Sequence, residues 1–262
     1  MSLEPLQYAL GALSGSLVGF TLALVGGGGS ILAVPLMVYL VGVANPHVAI
    51  GTSALAVAAN AATGLIGHAR AGTVKWRCGL IYAGAGVIGA LCGSTAGKAF
   101  DGHKLLFLFA IVMIVVGVLM LRGRRALGIP GAQCNRANAP KVVGLGMATG
   151  VFSGFFGIGG GFLIVPGLIA STSMPIINAV GTSLVAVTAF GLTTAFNYGL
   201  SGLVNWTLAG VFITGGIAGG LGGTVAARRL SGSGQLTTVF AVLIFSVAGY
   251  MIWKSAAALA LS

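Results

Sequence analysis

Long apolar segments, separated by short polar connections, restrict this chain more than any other feature of its sequence. Only 6% of its 262 residues are charged, whereas the surface of a soluble domain needs about 25%. One crossing of a bilayer takes about 20 apolar residues. The sequence therefore predicts an all-α, polytopic integral membrane protein. The predicted apolar segments are 6–25, 31–43, 48–69, 79–97 and 105–121 in the first half, and 142–156, 162–173, 178–200, 207–227 and 236–253 in the second.

The two halves of the chain repeat one pattern. A shift of 131 residues aligns 15–35 with 146–166, and a shift of 130 residues aligns 51–76 with 181–206. The aligned residues include the Gly-Thr-Ser triplets at 51–53 and 181–183. We therefore predict a first transmembrane repeat (1–125), a cytoplasmic connection (126–140) and a second transmembrane repeat (141–262).

The second segment of each repeat is short for a crossing, which leaves two topologies open. If it crosses, each repeat has five crossings, and an odd number turns the second copy upside down. If it is re-entrant, each repeat has four crossings and the copies are parallel. The inverted arrangement with both termini outside is favoured, because it places more basic residues in the cytoplasm. Those inside would be Arg70, Lys75, Arg77, Arg122, Arg124, Arg125, Arg136, Lys141, Arg228 and Arg229, and those outside Lys98, Lys104 and Lys254.

Two glycine-rich stretches, 26–29 and 157–161, each precede a short apolar run and a proline. A phosphate-binding loop is excluded, because no Gly-Lys-Ser/Thr sequence follows either stretch. Close packing of membrane helices and a break in a discontinuous helix both remain, and the two can coexist. Consecutive glycines destabilise a helix by about 1 kcal/mol each relative to alanine. Packing alone would not need four in a row, so we also predict glycine-rich helix breaks.

These breaks are the predicted site for an anion. A helix N-terminus carries about half a unit of positive charge and free N–H groups, and glycine leaves such amides uncovered. The hydroxyl groups of the triplets lie near the start of long apolar segments, where helix capping is the alternative role. The predicted substrate-binding residues are Gly26, Gly27, Gly28, Gly29, Ser30, Thr52, Ser53, Gly157, Gly159, Gly160, Gly161, Thr182 and Ser183.

Five other polar residues are secondary candidates for the substrate path. Asn60, Asn197 and Tyr198 lie inside apolar segments, where hydrogen bonding between helices is the alternative role. His68 is a candidate for binding or for proton movement. Arg70 either lines the path or extends to the cytoplasmic interface. Protons are therefore a candidate coupling ion.

Other classes of function have little support in the sequence. Three histidines are scattered along the chain, and we predict no metal, no cofactor and no enzymatic activity. The net charge of +11 is distributed between apolar segments rather than in one patch, so nucleic acid is not a predicted partner. Cys78, Cys92 and Cys134 are predicted to be unpaired structural thiols, since the first two would lie far apart on one helix. The predicted partners are a small anion and the lipid bilayer.

The doubled motifs resemble one family of membrane proteins. GGGGSILAVP (26–35) and GIGGGFLIVP (157–166), with two Gly-Thr-Ser triplets and two Gly-x-Val-x-Trp motifs, are similar to the sulfite exporter TauE/SafE family, also called the 4-toluene sulfonate uptake permease family. The resemblance covers nearly the whole chain. It implies a permease of the bacterial or archaeal inner membrane for an anion such as sulfite, a sulfonate, sulfoacetate or thiosulfate. A secondary transporter is the expected function, with a passive anion channel as the alternative.

Overall fold

The structure is a computed structural model that describes residues 4–122, 129, 134–157, 161–230 and 245–254. Within these ranges, only the backbone is described for 24–28, 116, 119–122 and 224–230. Every regular element in the described residues is a helix. The all-α prediction is therefore confirmed.

The helices follow the predicted apolar segments to within a few residues. In chain order they are α1 (Pro5–Val25), a 3₁₀ helix (Gly26–Leu32), α2 (Ala33–Pro35), a π helix (Leu36–Leu40), α3 (Pro46–Arg70), α4 (Trp76–Ala99), α5 (Gly102–Arg122), α6 (Ala139–Phe156), α7 (Gly161–Thr172), α8 (Ile176–Leu200) and α9 (Trp206–Leu230). Residues 245–254 are helical as well. The first part of the last predicted segment, 236–244, lies outside the described residues.

Two helices begin at side chains that satisfy free backbone amides. The Asn45 side chain accepts a hydrogen bond from the His47 amide at 2.9 Å, and Pro46 occupies the first position of α3. The Asp101 carboxylate accepts hydrogen bonds from the amides of His103 and Lys104, each at 3.0 Å. Both residues therefore pair N–H groups that the following helix cannot pair itself.

Six helices in the described residues are long and apolar enough to cross a membrane. They are Pro5–Ala23, Pro46–Arg70, Trp76–Ala99, Ala139–Phe156, Ile176–Leu200 and Trp206–Gly223. Shorter apolar helices are found at Gly29–Leu40, Gly102–Val115 and Gly161–Thr172. The side chains of Leu13, Phe196 and Leu221 are each more than 60% exposed, as expected of residues that face lipid. These features are those of a multi-pass membrane protein.

Glycines form two equivalent seams between the repeats. α1 packs along α9, and α6 packs along α4. In the first seam Gly15 lies against the carbonyl of Phe212, and in the second Gly146 lies against the carbonyl of Tyr82 at the corresponding positions. A Cβ atom at either glycine would overlap that carbonyl, so the close approach of the helices requires glycine there. Each seam joins the first helix of one repeat to a late helix of the other.

The centre of the bundle is the pair α3 and α8, which run antiparallel. Gly51 near the start of α3 lies against Tyr198 near the end of α8, and Gly64 near the end of α3 lies against Leu184 near the start of α8. Residue numbers at the contacts therefore increase along α3 and decrease along α8, as in any antiparallel pair of helices.

Four other helix pairs run parallel. In each pair, residue numbers at the contacts increase along both helices. The contacts of α1 with α9 are Gly11 with Leu208 and Gly19 with Gly216, and those of α4 with α6 are Gly86 with Gly146 and Gly93 with Val151. Those of α3 with α9 are Thr52 with Asn205 and Asn60 with Gly216, and those of α4 with α8 are Gly79 with Thr182 and Gly86 with Phe190. It follows that α1, α3 and α9 share one direction. α4, α6 and α8 run the opposite way.

Cys78 and Cys134 form a disulfide, which corrects the prediction that all three cysteines are unpaired. Cys78 lies in the first turn of α4, Cys134 lies just before α6, and their Cα atoms are 5.3 Å apart. The two residues meet because α4 and α6 are parallel neighbours whose N-terminal ends lie on the same side of the bundle. Helical spacing excluded only a bond between Cys78 and Cys92, and Cys92 is indeed free and exposed.

Candidate functional site

The first glycine-rich stretch forms a 3₁₀ helix, which corrects the expectation of a non-helical break. Gly26–Leu32 continues from α1 as 3₁₀ helix and passes through α2 into the π helix that ends at Leu40. Gly29 lies against α1, where a Cβ atom would overlap the backbone at Leu22. Ser30 follows and is fully buried. Short irregular helical pieces of this kind are frequent at functional sites.

The second glycine-rich stretch begins with a turn. Gly157 ends α6 in the left-handed conformation, with a φ of 67°, and α7 starts at Gly161. A Cβ atom at Gly157 would overlap the side chain of Ile50 on α3. Gly159 and Gly160 lie outside the described residues. The two glycine-rich stretches therefore have related sequences but different backbone conformations where both are described.

The two breaks pack crosswise, each against the other repeat. The Ser53 hydroxyl of the first repeat lies 3.5 Å from the carbonyl oxygen of Gly157 in the second. The 3₁₀ helix of the first repeat packs against α7 and α8 of the second. The structure thus brings the break of each repeat next to helices of the other repeat. The second break lies beside the triplet that contains Ser53.

The threonines of the triplets make reciprocal hydrogen bonds between the repeats. Thr52 Oγ1 accepts a hydrogen bond from the backbone N–H of Asn205 at 3.0 Å, and Thr182 Oγ1 accepts one from the N–H of Lys75 at 2.9 Å. These donors occupy corresponding positions of the two repeats, and both threonines are fully buried. Among the described residues, neither threonine hydroxyl donates to an acceptor. Each hydroxyl therefore serves as an acceptor that ties one repeat to the other.

None of the four hydroxyl residues of the triplets caps its helix. α3 begins at Pro46 and α8 at Ile176, so the triplets lie in the second helical turn, where backbone N–H groups are already paired. Ser53 Oγ donates to the carbonyl of Ile50 at 3.0 Å, and Ser183 Oγ donates to that of Val180 at 2.7 Å. An anion would have to draw these two serine hydroxyls away from backbone carbonyls.

The two triplets lie at different levels of the bundle. Because α3 and α8 are antiparallel with Gly51 beside Tyr198, Ser53 lies level with a part of α8 far from Ser183. At 1.5 Å per residue the two serines are about 20 Å apart along the helix axes. The four hydroxyl groups therefore do not converge on one point. The triplets flank the centre of the bundle on opposite sides.

Asn60 lies on α3 between these two levels. Its side chain is 4% exposed and lines a cavity of about 80 Å³ together with Thr63 and apolar residues of α1, α8 and α9. The Thr63 hydroxyl donates to the Asn60 backbone carbonyl at 2.7 Å. Leu22, against which Gly29 packs, also lines this cavity, so the Asn60 pocket adjoins the first glycine-rich stretch.

His68 lies beside the second triplet, whereas Arg70 does not. His68 Nδ1 is 2.9 Å from Thr73 Oγ1, and the Thr73 carbonyl accepts a hydrogen bond from Asn178 at 2.9 Å. A Cβ atom at Gly181 would lie 3.1 Å from His68 Nδ1. Arg70, at the last position of α3, is exposed.

Asn197 and Tyr198 lie at the other end of the bundle, beside the first triplet. Lys98 Nζ donates to the Asn197 side chain at 2.9 Å and lies 5.9 Å from the centre of the Tyr198 ring. The sequence placed Lys98 only as a charge outside the membrane and missed this cluster. Its alignment with Arg228 in the second repeat was the available signal. Lys98 Nζ also donates to the Asn197 carbonyl at 3.1 Å and to the Ser201 hydroxyl at 2.9 Å, so the ammonium is held by the end of α8.

The chemistry on offer is hydrogen bonding by hydroxyl and amide groups. In the part of the chain that the structure describes, no three His, Cys, Asp or Glu residues lie together as a metal ion would require. Donors of this kind are suited to hold a small anion.

Relatives of the chain carry the name probable membrane transporter protein. A probable membrane transporter protein of Xylella fastidiosa is 52% identical over 263 residues, which cover 99% of both chains. The probable membrane transporter protein YunE of Bacillus subtilis is 28% identical and covers 86% of this chain and 90% of its own length. One from Haemophilus influenzae is 27% identical over 74% of each chain. No solved structure matches the chain.

The sequence pattern of one family extends over residues 11–251, nearly the whole chain. That family is described as sulfite exporter TauE/SafE. The resemblance carried by the doubled glycine motifs is confirmed by this match. The protein therefore belongs to the TauE/SafE sulfite exporter family of membrane transporters.

Proposed function

We propose that the protein is a secondary transporter that moves a small anion across the bacterial or archaeal inner membrane by alternating access. The observation that carries this proposal is the crosswise packing of the two glycine breaks, each against helices of the other repeat. A site built from both repeats opens to one side or the other when the repeats move against each other. Membership of a transporter family supports the same class of mechanism.

The repeats are proposed to be inverted, with ten crossings and both termini outside. Support comes from the helix directions, because α1, α3 and α4 each run opposite to their counterparts α6, α8 and α9. Since α1 and α3 are parallel, the chain between them must return across the bundle. The 3₁₀ helix, α2 and the π helix would make that return crossing in the first repeat, and α7 would make it in the second.

The anion is proposed to lie between the two breaks, with one triplet toward each surface. A charge buried in a bilayer needs partners, and the start of α7, after the turn at Gly157, would supply backbone N–H groups that the helix itself leaves unpaired. Thr52 and Thr182 are fully buried, and each hydroxyl accepts a hydrogen bond from the other repeat. Each triplet, held to the opposite repeat by its threonine, would separate the anion from one side of the membrane.

The proposed substrates are sulfur-containing or organic anions of the sulfite, sulfonate, sulfoacetate and thiosulfate class. The family description supports sulfite. These anions present several acceptor oxygens to hydrogen-bond donors. Both acids of the chain, Glu4 and Asp101, precede helices rather than lying inside a span. Coupling to protons would therefore involve a histidine or protonation of the substrate itself.

Flux of labelled sulfite, a sulfonate, sulfoacetate and thiosulfate into proteoliposomes tests the proposal. A secondary transporter gives saturable uptake and exchanges external for internal anion. The same flux measured with and without a pH gradient shows whether protons are coupled. Uptake that does not saturate and stimulates no exchange would contradict alternating access and support a passive channel.

A further inference from the structure

Asn60 carries an amide group that has no hydrogen-bond partner among the described residues. Neither its Oδ1 nor its Nδ2 is paired, although the side chain is only 4% exposed and lies in the middle of α3. Both atoms lie close to Gly216 on α9, where there is no side chain. An unpaired amide at this depth is costly, because neither lipid nor an apolar core can pair it.

The same amide lines a cavity of about 80 Å³ between α1, α3, α8 and α9. The cavity wall is formed by Thr63, by apolar side chains such as Leu22 and Leu184, and by glycines such as Gly19 and Gly216. No charged residue belongs to this wall in the described part of the chain. The cavity therefore offers a donor and an acceptor in an otherwise apolar and uncharged setting.

The repeat provides an internal comparison. The position equivalent to Asn60 in the second repeat is Phe190, and its ring lies against Gly86 as the Asn60 amide lies against Gly216. Phe190 is fully buried. An aromatic side chain thus fills, in the second repeat, the space that the first repeat leaves to an amide and a cavity. The two repeats share a backbone plan but differ at this position.

We infer that the Asn60 cavity is a hydrated site that holds water molecules between α1 and α3 of the first repeat and α8 and α9 of the second. Water donates and accepts hydrogen bonds and therefore pairs both atoms of the amide. Measured in the same way as the 80 Å³ of this cavity, one water molecule needs roughly 10–15 Å³, so the site has room for more than one. A desolvated anion would lack a cation here, and a lipid acyl chain would leave the amide unpaired. The inference does not depend on which anion is transported.

Silver ions test the inference, because Ag⁺ is about the size of a water molecule, binds thiolates and stays in the aqueous phase. The full-length protein is reconstituted with Cys78, Cys92 and Cys134 replaced by alanine, and Asn60→Cys or Leu184→Cys is then introduced. After exposure to Ag⁺ the protein is unfolded in detergent and its remaining free thiol is counted with a fluorescent maleimide. Ala54→Cys is the matched control, since Ala54 is fully buried on the same helix and lies outside the cavity.

Ag⁺ is expected to remove most of the maleimide signal from Asn60→Cys and Leu184→Cys and to leave that of Ala54→Cys unchanged. Two test positions on different helices guard against a variant that fails to fold, and folding is checked by elution volume. Equal resistance of all three thiols to Ag⁺ would overturn the inference and show a dry cavity. Equal loss from all three would overturn it as well, because the effect would not be specific to the cavity.

Discussion

At the scale of single residues, Gly28 is where the proposed anion site is tested most directly. Gly28→Val introduces a branched side chain into the 3₁₀ helix at the proposed anion site. We expect anion uptake by proteoliposomes to fall to background, while insertion into the membrane is unchanged. Gly159→Val, in the stretch outside the described residues, is expected to have the same effect.

Gly144→Val is the matched control, because a Cβ atom at Gly144 on α6 meets open space. It should insert and transport like the unmodified protein. If Gly28→Val and Gly159→Val also transport normally, the anion binds elsewhere. His68, beside the second triplet, would then be the next position to substitute.

Asp101 is predicted to matter for stability rather than for transport. Its carboxylate accepts hydrogen bonds from the backbone N–H groups of Lys104 and His103. These hydrogen bonds lower the pKa of Asp101, and the one from Lys104 has the largest effect. A lowered folded-state pKa means that the carboxylate stabilises the protein above its ordinary pKa of 3.8 and loses this effect as the pH falls through the folded value. Asp101→Asn keeps a capping side chain and should transport normally.

Thermal unfolding of the wild type, Asp101→Asn and Asp101→Ala between pH 7 and pH 3 measures this contribution. At pH 7 the alanine variant should unfold at a lower temperature than the other two. Below about pH 4 the gap between the wild type and the alanine variant should narrow. Loss of transport by well-expressed Asp101→Asn would show that Asp101 belongs to the transport path.

At the scale of helices, the glycine seams predict opposite effects for two substitutions in α4. A Cβ atom at Gly89 would press against the Met147 carbonyl of α6, whereas one at Gly84 meets nothing within 4 Å. Gly89→Ala should lower the free energy of unfolding by about 1–3 kcal/mol through overpacking. Gly84→Ala should be neutral or stabilising by up to about 1 kcal/mol, because alanine is the better helix former.

Unfolding of both variants in mild detergent, followed by tryptophan fluorescence, checks the comparison. The difference between the two variants is informative because they share one helix and one chemical change. A Gly89→Ala protein as stable as Gly84→Ala would contradict the close contact of α4 with α6.

At the scale of the whole molecule, the orientation is tested by thiols placed at two exposed positions. Ala137 lies in the connection before α6, and His103 lies at the start of α5. Cys134 itself does not serve, since it is 4% exposed and bonded to Cys78. In a protein without native cysteines, an impermeant maleimide should label His103→Cys in intact cells. It should label Ala137→Cys only after the membrane is opened, and the reverse pattern would invert the proposed topology.

The disulfide adds an independent test of the same topology. The proposed orientation puts Cys78 and Cys134 on the cytoplasmic side, where glutathione keeps thiols reduced. Thiols trapped by alkylation in intact cells and counted by mass should therefore number three, the full complement of the chain. Purification in air should leave Cys92 as the single reactive thiol. A bond already present in intact cells would favour the opposite orientation.

The sequence by itself determined the class of the protein, its helices and its duplication. Apolar length is a local property, and local energetics suffice to predict roughly where the helices lie. The doubled motifs likewise identified the family, because a repeated pattern needs no knowledge of contacts. The glycines of the breaks were recognised for the same reason.

Only the tertiary structure decided which residues of the two repeats contact each other. In the sequence Thr52 lies near the start of an apolar segment. In the structure its hydroxyl accepts a hydrogen bond from the backbone N–H of Asn205 in the other repeat. Cys134 joins Cys78 because α4 and α6 are parallel neighbours. These contacts depend on how helices distant in sequence pack. Hydropathy differs little between the faces of these helices, so it does not identify their partners or directions. The physical reason is that glycine seams and reciprocal hydrogen bonds are properties of pairs of helices.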